Sequence, residues 1–151
     1  MLQANVTSLR AAVPSLSGLD WDLAGLQEVG VPPPWDFRRH LGASHLLEQV
    51  APGATPAVAL LARRGGLQPD PGPSWLPDGV RVVCGLWHYS AAGVLAVALL
   101  HVPPGHGPGH ALRVSEALLQ VLDWVEGEHA GHGLILADLN ALLHDTRAAW
   151  W

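Results

Sequence analysis

In "GLILADLNALLHD", residues 133–145, four apolar residues lead directly into Asp138. An apolar run of this length predicts a buried strand, and in an extended chain residues i and i+2 lie on the same face. Asp138 and Asn140 are therefore predicted to project together from the end of the strand, while Leu139 points back into the core. The C-terminal ends of strands are where α/β proteins place their functional groups.

The composition draws attention to asparagine. The chain has 151 residues with no lysine and only two asparagines, Asn5 and Asn140. Asn5 lies in "QANVTSLR", which also reads as the junction of a strand and a helix. With 49% hydrophobic and 14% charged residues, this length predicts one globular domain with a sizeable core.

The net charge of −5 gives the chain no general attraction to nucleic acid, so such a substrate would need metal ions to meet its phosphates. The single cysteine, Cys84, excludes an internal disulfide, and its setting in "VRVVCGLW" predicts a buried strand thiol in a reducing compartment. No secretory signal and no apolar run long enough to span a bilayer is recognisable in the sequence. We therefore expect a soluble intracellular protein without membrane contact, in the cytoplasm or the nucleus.

Apolar runs and amphipathic segments alternate along the chain, which predicts an α/β fold. The runs predict strands at residues 2–6, 23–27, 54–64, 80–87, 94–101 and 134–138. The strands at 80–87 and 94–101 are predicted to pair. Helices are predicted at 7–18, 35–41 and 111–126, and the segment 65–79, rich in proline and glycine, is predicted to be a loop.

Polar residues follow several of these apolar runs at the point where each run ends. They are Asn5, Glu28, His101, Asp138 and Asn140. Carboxylates are ligands for a hard cation such as Mg²⁺, so Glu28 and Asp138 are predicted to bind a metal or to orient its waters. The amides of Asn5 and Asn140 and the imidazole of His101 can donate hydrogen bonds to a phosphate.

These residues occur in motifs that resemble the endonuclease/exonuclease/phosphatase superfamily. The motifs are "NVTSLR" with Asn5, "LAGLQEV" with Glu28, "LLHVPPG" with His101 and "LILADLNA" with Asp138 and Asn140, in the family's order. The sequences of these motifs are most similar to those of the endonuclease domains of non-LTR retroelements. The resemblance implies a partial four-layer α/β sandwich with mixed sheets and flanking helices.

The resemblance also implies chemistry, that of a hydrolase acting on phosphodiester bonds with Mg²⁺ or Mn²⁺. Asn5 and Glu28 would belong to the metal centre, and His101 would contact the phosphate. Asp138 and Asn140 would orient the attacking water and stabilise the transition state. The substrate would be nucleic acid or another phosphodiester.

Two departures from the family pattern bear on activity. Ala137 replaces the glycine that usually precedes the aspartate, and the sequence ends at Trp151, before the Ser-Asp-His motif that supplies the family's Asp-His pair. We therefore expect a truncated domain over residues 1–151, inactive as this chain alone. We also expect an exposed apolar face that binds the missing C-terminal half or a second copy.

Two classes of function remain open at this point. The chain is either the N-terminal part of a metal-dependent phosphodiester hydrolase, or a decayed non-catalytic remnant or module that binds phosphate or nucleic acid. Asn5, His101 and Asp138 each have a simpler interpretation as turn, strand-end or capping residues. His101, His106 and His110 have a spacing that would suit zinc, but no cysteine accompanies them.

Overall fold

The computed structural model describes residues 1–6, 9–29, 37–49, 58–129 and 131–140. Within them lie eight strands and three helices. The strands are β1 (Leu2–Asn5), β2 (Leu23–Gln27), β3 (His45–Gln49), β4 (Val58–Ala62), β5 (Gly66–Asp70), β6 (Arg81–His88), β7 (Val94–His101) and β8 (Gly133–Asp138). The helices are α1 (Leu9–Ser17), α2 (Phe37–His40) and α3 (Gly107–His129).

The strands form two four-stranded sheets, with the orders β1-β2-β4-β3 and β5-β6-β7-β8. The pairs β1–β2 and β7–β8 are parallel, and all the other pairs are antiparallel. Both sheets are therefore mixed, as predicted. Because parallel strands end at the same edge, Asn5 lies opposite Gln27 in the first sheet and His101 opposite Asp138 in the second.

Alternating side chains of the strands build three apolar layers. On β7, Val97 and Leu99 face the first sheet, whereas Ala98 and Leu100 pack under α3. On β2, Leu26 faces α1 and joins a third cluster on the outer side of the first sheet. The order helix, sheet, sheet, helix confirms the predicted four-layer α/β sandwich.

The structure corrects the predicted elements at two places. The segment 65–79 was predicted to be a loop, but Gly66–Asp70 forms an edge strand of the second sheet, with Pro69 opposite Gly85. Proline is tolerated at a sheet edge because its missing N–H removes no hydrogen bond inside the sheet. No strand was predicted at His45–Gln49, which is the other edge strand, beside β4.

The remaining differences concern the ends of elements. Strand β4 covers only Val58–Ala62 of the strand predicted at 54–64, and residues 54–57 lie outside the described residues. Helix α3 begins at Gly107, four residues before the predicted start. Pro108 is tolerated in its first turn because backbone N–H groups there make no hydrogen bond within the helix. Residues 7–8 and 35–36, with which two other predicted helices begin, lie outside the described residues.

Cys84 is buried, as predicted. Burial, together with the nearby carboxylate of Asp70, raises the pKa of its thiol to about 12. The thiol is therefore protonated at neutral pH and is a packing residue rather than a nucleophile.

The outer surface of α3 exposes several apolar side chains, among them Leu112, Leu119 and Leu122. Our expectation that an apolar face of the chain binds a missing half or a second copy stays a prediction. None of the described helices is long and apolar enough to cross a membrane.

Candidate active site

The ends of four strands meet across the two sheets. Asn5 and Glu28 lie at the ends of β1 and β2 in the first sheet, and His101 and Asp138 end β7 and β8 in the second. The polar strand ends were expected at one shared sheet edge, but each sheet contributes two of them. The site is therefore a cleft between the sheets at their C-terminal ends.

Asp138 is the most constrained residue of this cleft. The Nδ2 of Asn5 donates to Asp138 Oδ2 at 2.8 Å, and the backbone N–H of Asn140 donates to Asp138 Oδ1 at 3.2 Å. One residue earlier, the Nε2 of Gln3 donates to the carbonyl of Ala137 at 2.8 Å. These contacts join the edge strand of one sheet to the edge strand of the other and fix the orientation of the carboxylate.

Glu28, His101 and Asp138 form a group with the spacing of metal ligands. One ligand atom of each lies within 4.8 Å of the others. Two carboxylates this close to each other can share one hydrated Mg²⁺. Glu28 has a φ of 54°, a left-handed conformation that costs a non-glycine residue roughly 1 kcal/mol and is found most often at functional sites.

His101 is a buried imidazole with no hydrogen bond. Its side chain is 6% exposed, and neither ring nitrogen has a partner among the described residues. Burial lowers its pKa below the ordinary value of 6.5; Asp138 opposes this shift, Arg81 adds to it and Glu28 opposes it. The ring is therefore neutral at pH 7 and offers one N–H donor to the cleft.

The lowered pKa of His101 predicts a loss of stability in acid. Below pH 6.5 His101 takes up a proton in the unfolded chain but not yet in the folded protein. The free energy of unfolding therefore falls as the pH is lowered from 6.5 to the folded-state pKa of His101. Urea unfolding at pH 7.5 and pH 5 should show a smaller difference for His101→Gln than for the wild type. His106→Gln, an exposed histidine, should behave as the wild type. Equal losses in all three proteins would contradict the prediction.

Asn140 lies beside Asp138 for a reason other than strand periodicity. Strand β8 ends at Asp138, and Asn140 has a φ of 46°. Its Nδ2 donates to the carbonyl of Val102 at 2.9 Å, and the Nε2 of His110 lies 3.2 Å from its carbonyl oxygen. Leu139 packs into the apolar layer under α3, as predicted.

Sequence reasoning missed Gln27, which is the most buried polar residue of the cleft. It is 1% exposed, and neither its side-chain nitrogen nor its oxygen has a hydrogen-bond partner within the part of the chain that the structure describes. An unpaired buried amide is costly, so its presence in an otherwise apolar strand points to the cleft. The signal available in the sequence was one glutamine inside the run "LAGLQ".

A cavity of about 610 Å³ opens beside these residues. Its lining consists of Gln3, Ala4, Asn5, Gln27, Ala137, Asp138, Leu139 and Asn140. Glu28 and His101 do not line it, so Asp138 is the residue that the cavity shares with the ligand group. The structure thus brings all five predicted site residues to one cleft. Asn5 and Asn140 line the cavity with Asp138, whereas Glu28 and His101 join Asp138 in the ligand group.

The zinc alternative finds no support in the geometry. Among the described residues, two groups of three have the spacing of metal ligands: Glu28, His101 and Asp138, and on α3 and β5 Asp70, Glu128 and His129. His106 and His110 belong to neither group.

No protein-family model and no curated protein matches the chain. Solved structures do match. The structure of ANGEL2, a 2',3'-cyclic phosphatase, in complex with adenosine-2',3'-vanadate has a TM-score of 0.70 at 15% identity, over 90% of this chain and 44% of that chain. The human Nocturnin catalytic domain has a TM-score of 0.60 at 15% identity, over 80% of this chain and 52% of that one. The 3'-5' exonuclease NExo from Neisseria meningitidis has a TM-score of 0.60 at 21% identity, over 91% and 56%.

These structures belong to the endonuclease/exonuclease/phosphatase superfamily, and their likeness to this chain at low identity shows its fold. The predicted resemblance is confirmed at that level. The chain spans about half the length of the solved structures that it matches.

Proposed function

We propose that this chain is the N-terminal part of a Mg²⁺- or Mn²⁺-dependent phosphodiester hydrolase of the nuclease type. The observation that carries the proposal is the group formed by Glu28, His101 and Asp138, whose ligand atoms lie within 4.8 Å of one another at strand ends of both sheets. Strand ends with two carboxylates, a neutral imidazole and asparagine amides are suited to a metal and a phosphate.

The donor set fits a hard divalent cation. Carboxylate and amide oxygens are the protein ligands that Mg²⁺ takes, and it keeps several waters. Glu28 and Asn5 would hold the ion, since the Nδ2 of Asn5 donates to Asp138 and its amide oxygen remains for the metal. When bound, the ion would supply the positive charge that a chain of net charge −5 lacks toward a phosphate.

The other residues would act on the phosphate and the attacking water. The Asp138 carboxylate, held by two donors, would orient the water. His101 would donate its N–H to a phosphate oxygen, because it is neutral and its ring has no other partner. Asn140 would help to orient the water through its side-chain amide oxygen, since its Nδ2 already donates to the carbonyl of Val102.

Nucleic acid is the substrate class that we propose. The ANGEL2 structure holds adenosine-2',3'-vanadate, and one structure of NExo, a 3' phosphatase, holds a product DNA hairpin. The cavity of about 610 Å³ beside Asp138 is of the size that accepts a nucleotide.

We also propose that the chain alone turns over slowly. Among the described residues, the ligand group contains a single histidine, and its lowered pKa makes it a weak base. A second proton-transfer group contributes typically ~10² to 10⁴ in rate, and a partner segment would have to supply it. A module that binds phosphate without turnover is the alternative, favoured by the engagement of Asn140 Nδ2 and of both Asp138 oxygens.

The proposal predicts metal binding without efficient cleavage. In a Mn²⁺ titration followed by electron paramagnetic resonance, Glu28→Gln and Asp138→Asn should weaken Mn²⁺ binding at this site by at least ~10-fold, because Glu28→Gln removes a charged ligand and Asp138→Asn removes a negative charge that lies beside the ion. Asp78→Asn, an exposed carboxylate elsewhere, is the matched control and should change nothing. Unchanged Mn²⁺ binding in Glu28→Gln would sink the assignment of the metal site.

The same proteins test turnover on supercoiled plasmid with Mg²⁺. We expect no nicking above the level of the Glu28→Gln variant. Nicking that is abolished by Glu28→Gln and by a chelator would show that the chain is catalytically complete and would overturn the claim of slow turnover.

A further inference from the structure

A separate group of metal-ligating side chains lies where the end of α3 meets the edge strand β5. Asp70 ends β5, and Glu128 and His129 lie in the last turn of α3. One ligand atom of each lies within 4.8 Å of the others. Helix α3 starts after the strand end that holds His101 and finishes before β8 begins, so this group lies away from the cleft.

Only one of the two carboxylate oxygens of Asp70 accepts hydrogen bonds from the described residues. Its Oδ1 accepts from the backbone N–H of Gly72 at 2.8 Å and from Nε1 of Trp124 at 3.1 Å. Its Oδ2 faces Nε2 of His129 at 3.7 Å, which is too long for a hydrogen bond. The carboxylate is thus fixed by two donors with its second oxygen directed at an imidazole.

His129 Nε2 is a buried ring nitrogen without a hydrogen-bond partner among residues 1–6, 9–29, 37–49, 58–129 and 131–140. The ring packs edge-on against Trp124 with centroids 4.8 Å apart, so its orientation is fixed by the indole that also holds Asp70. Two fixed ligand atoms 3.7 Å apart have about the separation of neighbouring ligands around tetrahedral zinc, where metal–ligand bonds of ~2.0–2.2 Å place ligands ~3.3–3.5 Å apart.

The surroundings also favour a cation. The C-terminal end of a helix carries partial negative charge, and here it lies beside two carboxylates. In this group the imidazole itself is a metal ligand, whereas His101 in the cleft is assigned to the phosphate. One imidazole and two carboxylates as ligands suit zinc and related transition metals better than Mg²⁺, which prefers oxygen alone.

We propose that Asp70, Glu128 and His129 bind one zinc-class cation that ties the end of α3 to the edge strand β5. Glu128 is exposed and closes the site from the solvent side, with water as the fourth ligand. This site is independent of the proposed function, since it shares no residue with the cleft.

The test uses the full chain carrying Glu28→Gln, which disables the cleft as a metal site. Co²⁺, a spectroscopic substitute for zinc, should give the visible absorption of a four-coordinate ion, and Zn²⁺ should displace it and raise the melting temperature. His129→Gln, Asp70→Asn and Glu128→Gln should each weaken Zn²⁺ binding by at least ~10-fold. His132→Gln, an exposed histidine three residues from the site, is the control and should bind as the parent does.

Glu128→Gln keeps the proposal testable if a buried variant fails to fold, because its side chain is exposed. Two results would show that Asp70 and His129 form only an ion pair. One is Zn²⁺ binding that persists in Glu128→Gln and in His129→Gln, and the other is an equal loss of Zn²⁺ binding in His132→Gln. The absence of the Co²⁺ absorption would overturn the site in the same way.

Discussion

Replacing Arg63 by alanine is expected to destabilise the protein by about 3–5 kcal/mol, because this one guanidinium satisfies backbone carbonyls of two segments that are distant in sequence. Its Nε donates to Leu41 O at 2.8 Å, its Nη1 to Leu19 O at 2.6 Å and its Nη2 to Ser17 O at 3.2 Å. Hydrogen bonds from a charged donor contribute roughly 1.5–3 kcal/mol each and are not additive. The side chain thus closes the C-terminal end of α1 and fastens it to the residue that follows α2.

Trp21 adds to this effect. The guanidinium carbon lies 3.9 Å from the centroid of the indole, and Trp21 is 2% exposed. A cation–π contact of this kind contributes roughly 0.5–2 kcal/mol, more when desolvated. Arg63→Lys keeps the charge but not the three-way donation, so it should recover only a minor part of the stability.

Arg64 is the matched control, because the next residue has the same side chain in a different setting. It is 70% exposed and contacts the carboxylates of Asp20 and Asp22. Exposed ion pairs contribute roughly 0.2–1 kcal/mol, so Arg64→Ala should have a small effect. Urea unfolding of both variants measures the difference. Similar losses for Arg63→Ala and Arg64→Ala would show that the backbone contacts contribute little.

The sequence predicted the central strands of the fold more accurately than its edges. Strands β2 and β7 were predicted with the bounds that the structure has, because a strand buried on both faces is a continuous apolar run. Strands β3 and β5 were missed. Edge strands pack and pair on one side only, so "GLQPD" can include a proline and exposed polar residues without resembling a strand.

For the site, the sequence predicted which residues meet but not how they are held. Asn5, Glu28, His101 and Asp138 come together because their strands end at the same level of two stacked sheets, and a sequence records neither the stacking nor the left-handed turn at Glu28. Asn140 was expected beside Asp138 through strand periodicity, whereas Val102 holds its amide. The sequence does not single out Arg63, because two adjacent arginines usually form a solvated edge. Only the tertiary structure places its donors on the carbonyls of Ser17, Leu19 and Leu41.

Gln27→Leu is expected to stabilise the protein by ~1–3 kcal/mol, the penalty for burying an unpaired polar group. The side chain faces the layer between the sheets and is 1% exposed, and no described residue is a hydrogen-bond partner of either polar atom. Leucine is of similar size and would extend the apolar surface that Leu23 and Leu99 already form there. Urea unfolding should therefore give a higher midpoint for the variant.

The control for this substitution is Gln68→Leu on β5, where the glutamine is exposed and the same change removes no buried amide. It should leave stability within about 0.5 kcal/mol of the wild type. If the Gln27 amide serves a bound phosphate, the more stable Gln27→Leu protein should also bind AMP more weakly in the presence of Mn²⁺, the exchange of stability for function that active sites show. A loss of stability in Gln27→Leu would mean that the amide has a partner in solution, and tighter AMP binding would remove Gln27 from the site. If Gln27 served packing alone, leucine would serve as well, both for stability and for AMP binding. The two measurements together therefore distinguish a residue kept for a ligand from one kept for packing.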